Sequence, residues 1–288
     1  MKLIRFDAGQ GPRAGVVTAH GVVDLATAHF RLTNLTDIIA GGRPVLDALA
    51  KHIAGVEAHH PLDGMRLLPP APRPGKYLAI GMNYQKHAEE AAKLGVAKPT
   101  QQVWFNKQTT CLAGPYDDID PGVTEKLDYE VELGFVIGTA AKHVAKQDAL
   151  RHVFGYFVAN DVSARDWQFH SPTFTMGKSF DTHGPIGPWI VTADEIGDPQ
   201  DLDLRCFVNG QLRQSSNTSQ MVHDIRAQIA YLSTAFTLEP GDLIATGTPE
   251  GVGAAMTPPS FLQPGDVVRC EIEKIGSIEN KVREPTPR

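Results

Sequence analysis

Apolar and polar residues alternate most regularly over residues 127–137, LDYEVELGFVI. A strand sends successive side chains to opposite faces, so Asp128, Glu130 and Glu132 share one face and Tyr129, Val131 and Leu133 the other. Same-face neighbours lie about 6–7 Å apart at Cα, near enough for two carboxylates to meet on one cation. Without a partner, like charges on one face repel. An E-x-E by itself is nevertheless more often the solvated side of a half-buried strand than a site.

The remaining pattern predicts a β-rich mixture. LIRF and GVVTAHGVVDL are short strands, and the segment LTDIIAGGRPVLDALAKHIA has helical spacing broken near Gly41, Gly42 and Pro44. His59 and His60 are adjacent in sequence and read as surface residues. The proline-rich stretch 61–76 marks a boundary, dividing the chain into a small α/β unit over 1–72 and a larger domain over 73–288. In the larger part KYLAIGMNY is a strand, followed by a helix over 84–94 with Asn83 as its cap and Gly95 past its end. VWFNK, VFGYFVAN, PIGPWIVT and LRCFVNGQLRQ are strands, with a hairpin turn at Asn209-Gly210. MVHDIRAQIAYLSTAF is a helix. Strands outnumber helices and do not alternate with them regularly, which predicts an α+β class.

Composition narrows the function. Of 288 residues 42% are hydrophobic, a globular value, and the formal charge of −6 comes with no basic run that would suit a nucleic acid. No apolar run is long enough to span a bilayer, and the first ten residues lack a secretory core. Cys111, Cys206 and Cys270 are far apart in sequence, which argues against a disulfide framework or zinc–thiolate site and leads to the expectation of a cytoplasmic protein.

Several residues carry chemistry. Asp161 ends the apolar run VFGYFVAN, where it is either a ligand or a helix cap. Glu130, Glu132 and Asp161 make an all-oxygen donor set suited to Mg2+, Mn2+ or Ca2+. His87 and Glu90 are three apart on the 84–94 helix, as a carboxylate-oriented general base requires, though HAEEAAK also reads as a salt-bridged surface helix. Arg165 and Gln168 share a face just after Asp161, and an arginine there can grip a substrate carboxylate. Lys178 lies among glycines. TGTPEGVG follows a strand but is neither a Walker A loop nor GxGxxG; its N–H groups and Thr248 are suited to an anion.

IGMNYQKHAEE, DYEVELGFVIG, GYFVANDVSARDWQ, GKSFDTHGPIGP and GDLIATGTPEGVG occur in an order that resembles the fumarylacetoacetate hydrolase family over residues 76–282. The resemblance implies a mixed β-sandwich roll and a homodimer. It implies Mg2+ or Mn2+ on Glu130, Glu132 and Asp161, with His87 and Glu90 as base pair and Lys178 near the substrate oxygens. Arg165, Gln168 and Thr248 become binding groups, and Asp128 a structural acid. Larger members add a fourth acidic ligand upstream of the histidine; residues 78–82 here are Leu-Ala-Ile-Gly-Met. The expected reaction is metal-dependent cleavage of a C–C bond in an acylpyruvate or related 2-oxo acid. Oxaloacetate decarboxylation and isomerisation of a 2-oxo diacid fit the same residues, and a non-catalytic metal-binding dimer is the alternative of another class. Gln101, in the segment after His87, and His170 and Phe174, in the loop FHSPTFTM, are candidates for the substrate lining.

Overall fold

The computed structural model describes residues 1–93 and 99–287. Among these an eleven-stranded sheet follows the order Gly21–Asp24, Pro12–Thr18, Lys2–Asp7, Gly184–Thr192, Val153–Asn160, Val131–Ile137, Leu243–Ala245, Tyr77–Gly81 and Val103–Asn106, with Arg66–Leu68 and Leu112–Ala113 as side branches. It is mixed: Leu243–Ala245 runs parallel to Tyr77–Gly81 and antiparallel to Val131–Ile137. A second sheet of four strands, Gln211–Asn217, Asp203–Val208, Val267–Ile272 and Gly276–Lys281, covers one face. The fold is the expected sheet-rich α+β type.

The strand Val131–Ile137 is central, and both of its faces are covered. Val131, Leu133, Phe135 and Ile137 pack with Leu204, Cys206, Val268 and Cys270 of the smaller sheet. On the other side Val136 shares a cluster with Leu35, Ile38 and Leu49 of the helix Leu35–Ile53. The strand is therefore buried at every position and not half-solvated, so any charge on it is in a dry setting. At Gly134 a Cβ would stand 2.2 Å from the Phe157 ring, which leaves room for hydrogen alone.

The stretch 127–137 forms two strands. Leu127–Asp128 pairs with Ser163–Ala164, and Val131–Ile137 pairs with Val153–Asn160. Between them the Asn160 side chain takes over from the backbone, its Oδ1 accepting from Glu130 N at 3.0 Å. The helix after Asn83 starts at Gln85 and extends to Lys93. Asn83 does not cap it. It is fully buried, donates to the carbonyls of His223 and Thr246, and accepts from His223 N, so its amide ties two loops together. Gly95 lies outside the described residues.

Elsewhere local chemistry gives the expected elements. Asn34 Oδ1 accepts from Asp37 N to start Leu35–Ile53, which kinks at Gly42 with φ 56°. Asp224 caps Ile225–Ala235 by accepting from Ala227 N at 2.7 Å. Asn209 and Gly210, both at positive φ, turn the hairpin between Asp203–Val208 and Gln211–Asn217. The leading strands extend the main sheet, since Lys2–Asp7 pairs with Gly184–Thr192. His59 and His60 are half-buried and not merely on the surface: His59 Nδ1 accepts from the N–H of buried Asp24, and the His60 ring meets Phe6 edge-on.

Candidate active site

Antiparallel pairing creates the acidic cluster. Val131 lies opposite Asn160, so the residues just beyond each, Glu130 and Asp161, come together, and Asp161 N donates to Glu130 O at 2.9 Å. Glu132 projects from the same strand. One carboxylate oxygen from each of Glu130, Glu132 and Asp161 lies within 4.8 Å of the others, and all three residues are buried.

Three cations surround this cluster, the buried Lys107 and Lys178 and the half-buried Arg165. Lys178 Nζ bridges Glu130 Oε2 at 2.7 Å and Asp161 Oδ2 at 2.8 Å. Arg165 spans Asp128 Oδ2, 2.9 Å from Nε, and Glu130 Oε1, 2.7 Å from Nη2. Lys107 Nζ donates to Asp161 Oδ1 at 2.5 Å. Four carboxylates thus face three cations, and Glu132 is the acid without an ion pair. The consequences differ. Burial pushes the Glu130 carboxyl up, but Lys178 and Arg165 override it and hold the group at about 2. Burial also pushes Glu132 up, and there the charges on Asp161 and Glu130 push the same way, well above the carboxylate range.

This donor set fits a hard divalent cation. The three groups are oxygen donors already converged, and the nearby charge of Lys178 and the Gly247 N–H, at 2.8 Å, do not overcome burial and the repulsion of two neighbours at Glu132. An ion shared with Glu130 and Asp161 would supply the missing positive charge. No nitrogen or sulfur donor belongs to the group, which favours Mg2+ or Mn2+ over zinc.

The glycine-rich loop after Leu243–Ala245 does bind anions, and they are the protein's own carboxylates. Gly247 N holds Glu132. Gly251 N donates to Glu90 Oε1 at 3.1 Å, and Gly253 N and Ala254 N hold Asp128 at 2.7 and 2.9 Å. Gly251 has φ 98°, and a Cβ there would stand 2.1 Å from Arg213 O. On the helix Gln85–Lys93, Glu90 Oε2 lies 3.3 Å from His87 Nδ1, so the loop holds Glu90 and Glu90 faces the imidazole. Asp128 is wholly engaged by the loop and Arg165.

A cavity of about 230 Å3 brings these groups together. Its polar end carries His87, Glu90, Glu130, Glu132, Arg165, Gln168 and Lys178; Phe105, Phe169 and Phe174 supply an apolar wall. Arg165 Nη1 donates to Gln168 Oε1 at 3.0 Å. Thr248 also lines the cavity, but its hydroxyl donates to Val131 O and accepts from Gln214 Nε2, so its proton is committed to the scaffold. Asp161 lies behind the lining, reached through Lys178. Phe174 faces the cavity, whereas Gln101 and His170 are exposed and outside the lining. Sequence reasoning missed Lys107, and it gave the loop's N–H groups to an anion without seeing that the anions are Glu132, Glu90 and Asp128. A lysine ending VWFNK looks like any solvated strand terminus, and backbone donors carry no residue-type signal.

Residues 76–283 match the family model described as fumarylacetoacetate (FAA) hydrolase C-terminal. The chain is 41% identical over 290 residues to "Oxaloacetate tautomerase FAHD2A, mitochondrial" of Homo sapiens, covering 98% of this chain and 91% of that one. It is 45% identical to the fumarylacetoacetate hydrolase domain-containing protein 2 homolog of Dictyostelium discoideum, over 95% and 93%. Among solved structures it resembles fumarylacetoacetate hydrolase from Exiguobacterium antarcticum, with TM-score 0.85, 39% identity and 99% of each chain covered. It also resembles maleylpyruvate hydrolase from Sphingobium sp. SYK-6 in complex with manganese(II) and pyruvate, with TM-score 0.83 and 33% identity over 99% and 100%. The expected cytoplasmic placement is corrected by these relatives, several of which are named mitochondrial. The three thiols are free and buried, and those of Cys206 and Cys270, distant in sequence, lie 3.9 Å apart across neighbouring strands.

Proposed function

The chain belongs to the fumarylacetoacetate hydrolase family, and from that premise we propose that it is a divalent-metal-dependent enzyme that enolises a 2-oxo acid, with keto–enol exchange of oxaloacetate as its leading reaction. The observation that carries this reading is one cavity lined by Glu130 and Glu132 of the acidic triad and by the His87–Glu90 pair, with Asp161 converging on the two glutamates from behind the lining. The name of the human relative supports the choice of oxaloacetate.

Glu130, Glu132 and Asp161 would hold the ion. When bound, Mg2+ or Mn2+ supplies Lewis-acid polarisation of the 2-oxo group and charge neutralisation as an enolate develops. His87 moves the proton at the carbon next to the carbonyl, and Glu90 fixes the orientation of the imidazole while itself held by Gly251. Lys178 and Arg165 place positive charge at the polar end, where the acid's oxygens sit. Gln168 offers its amide N–H groups, its oxygen being taken by Arg165. Phe105, Phe169 and Phe174 keep water from the rest of the substrate.

The same groups support hydrolytic C–C cleavage of an acylpyruvate, with His87 activating a water instead of moving a carbon-bound proton. The maleylpyruvate hydrolase likeness and the apolar wall favour keeping this second reading. Purified protein is assayed with Mg2+ on enol-oxaloacetate, followed by loss of enol absorbance, and on an acylpyruvate, followed by pyruvate release. Tautomerisation that stops on adding EDTA supports the first reading. Pyruvate release without enol turnover moves the assignment to the hydrolase, and no metal-dependent turnover of either substrate sinks both.

A further inference from the structure

The residue that closes the strand Val103–Asn106 is Lys107, whose side chain has no exposed surface. An ammonium has three N–H donors. Those of Lys107 are all used: on Asp161 Oδ1 at 2.5 Å, on His183 O at 3.0 Å and on Lys178 O. None is left for a substrate, and the residue does not line the cavity. The backbone from Lys178 to His183 curls around this ammonium, giving it a carbonyl at each end. Two contacts reinforce the curl: Gln108 N donates to Ser179 Oγ at 3.0 Å, and the rings of Phe180 and His183 stack at 5.1 Å.

We propose that Lys107 is a positioning residue for the metal centre, orienting the Asp161 carboxylate through Oδ1 and anchoring the backbone that delivers Lys178 to Oδ2. This rests on the metal reading of the triad. With Oδ1 clamped by Lys107, the other oxygen, Oδ2, is the one that shares Lys178 with Glu130 Oε2. The bond also links ligand and catalytic lysine, because one ammonium holds both.

The sign of a single affinity change separates this role from simple charge neutralisation. A buried cation beside a ligand repels a divalent ion, so if Lys107 contributed only charge, removing it would tighten metal binding. If it orients Asp161, removing it weakens binding although the repulsion is gone. Mn2+ titration followed by electron paramagnetic resonance is run on the full chain and on Lys107→Met, with circular dichroism to check folding. The expected result is a dissociation constant raised about tenfold or more, the usual size for losing a group that orients a metal ligand. An unchanged or lower constant in the folded variant overturns the proposal. If Lys107→Met does not fold, Lys107→Leu, which likewise has no donor, decides by the same sign. Failure of the metal reading shows separately, as no Mn2+ binding by the unaltered protein.

Discussion

The site holds its acids in two ways. Glu130 and Asp161 lie against cations, Glu132 and Glu90 receive backbone N–H groups from one glycine-rich loop, and Asp128 is held by both Arg165 and that loop. The cation-braced half is close to electrically balanced and set into the central sheet. In the loop-held half Glu132 makes no ion pair among the described residues and is pushed well above the carboxylate range, and this half includes the helix bearing His87. The difference indicates where chemistry can happen. In the proposed site the charge-braced Glu130 and Asp161 would stay ionised and fixed, while Glu132 and Glu90, held by neutral donors, would meet the incoming ion and orient the proton-moving His87.

Substituting the two glutamates on the same strand tests this contrast most strongly. Glu130→Ala and Glu132→Ala should each abolish measurable Mn2+ binding, yet change the metal-free protein in opposite directions. Losing Glu130 leaves Lys178 and Arg165 short of a partner, and stability should fall by about 3–5 kcal/mol. Losing Glu132 removes a repelled carboxylate, so the melting temperature should hold or rise. Equal destabilisation in the two variants would erase the distinction. On the loop-held side, His87→Ala should lower kcat by about 10²–10⁴-fold with Mn2+ affinity intact, as loss of a general base does; loss of metal binding would put His87 on the other side of the comparison. Gly251→Ala forces a side chain to positive φ against Arg213 O, costing about 1–3 kcal/mol. It should also reduce kcat, because Glu90 loses its donor, and unchanged kcat in a folded variant would show that the loop does not orient the pair.

The smallest effect lies behind the braced half. Burial, above all, and the nearby Lys107 push the His183 imidazole down to about 4; its Nε2 donates to Asp120 O and its Nδ1 has no partner. As pH falls below about 6.5 the unfolded chain takes up a proton that the folded one refuses, so folding stability drops until pH reaches about 4. Between pH 7 and 5.5 this amounts to about 1 kcal/mol. Denaturant melts at the two pH values should show that loss, and His183→Asn should remove most of it.

Much of this was legible from residue patterns because strand alternation is strict. Glu130, Glu132 and Asp161 could be grouped from a two-residue period and a strand end, and the spacing of His87 and Glu90 put them on one helical face. What stayed hidden depends on tertiary environment. Lys107 differs from an exposed lysine only by what folds over it, and Asn83 looked like a cap because its amide partners, His223 and Thr246, are more than a hundred residues away in sequence. The hydroxyl of Thr248 suggested a substrate contact, but its proton goes to Val131 O. The apparent continuity of 127–137 hid the point where the Asn160 side chain interrupts the backbone ladder.

The central claim is that the braced and loop-held acids together form a metal-dependent enolising site. Proton NMR in deuterium oxide tests it directly, by following loss of the C3 hydrogens of oxaloacetate with enzyme and Mg2+. The account predicts exchange well above the buffer-plus-Mg2+ rate, abolished by EDTA and by His87→Ala. Exchange no faster than that control, in protein shown to bind the ion, would contradict it.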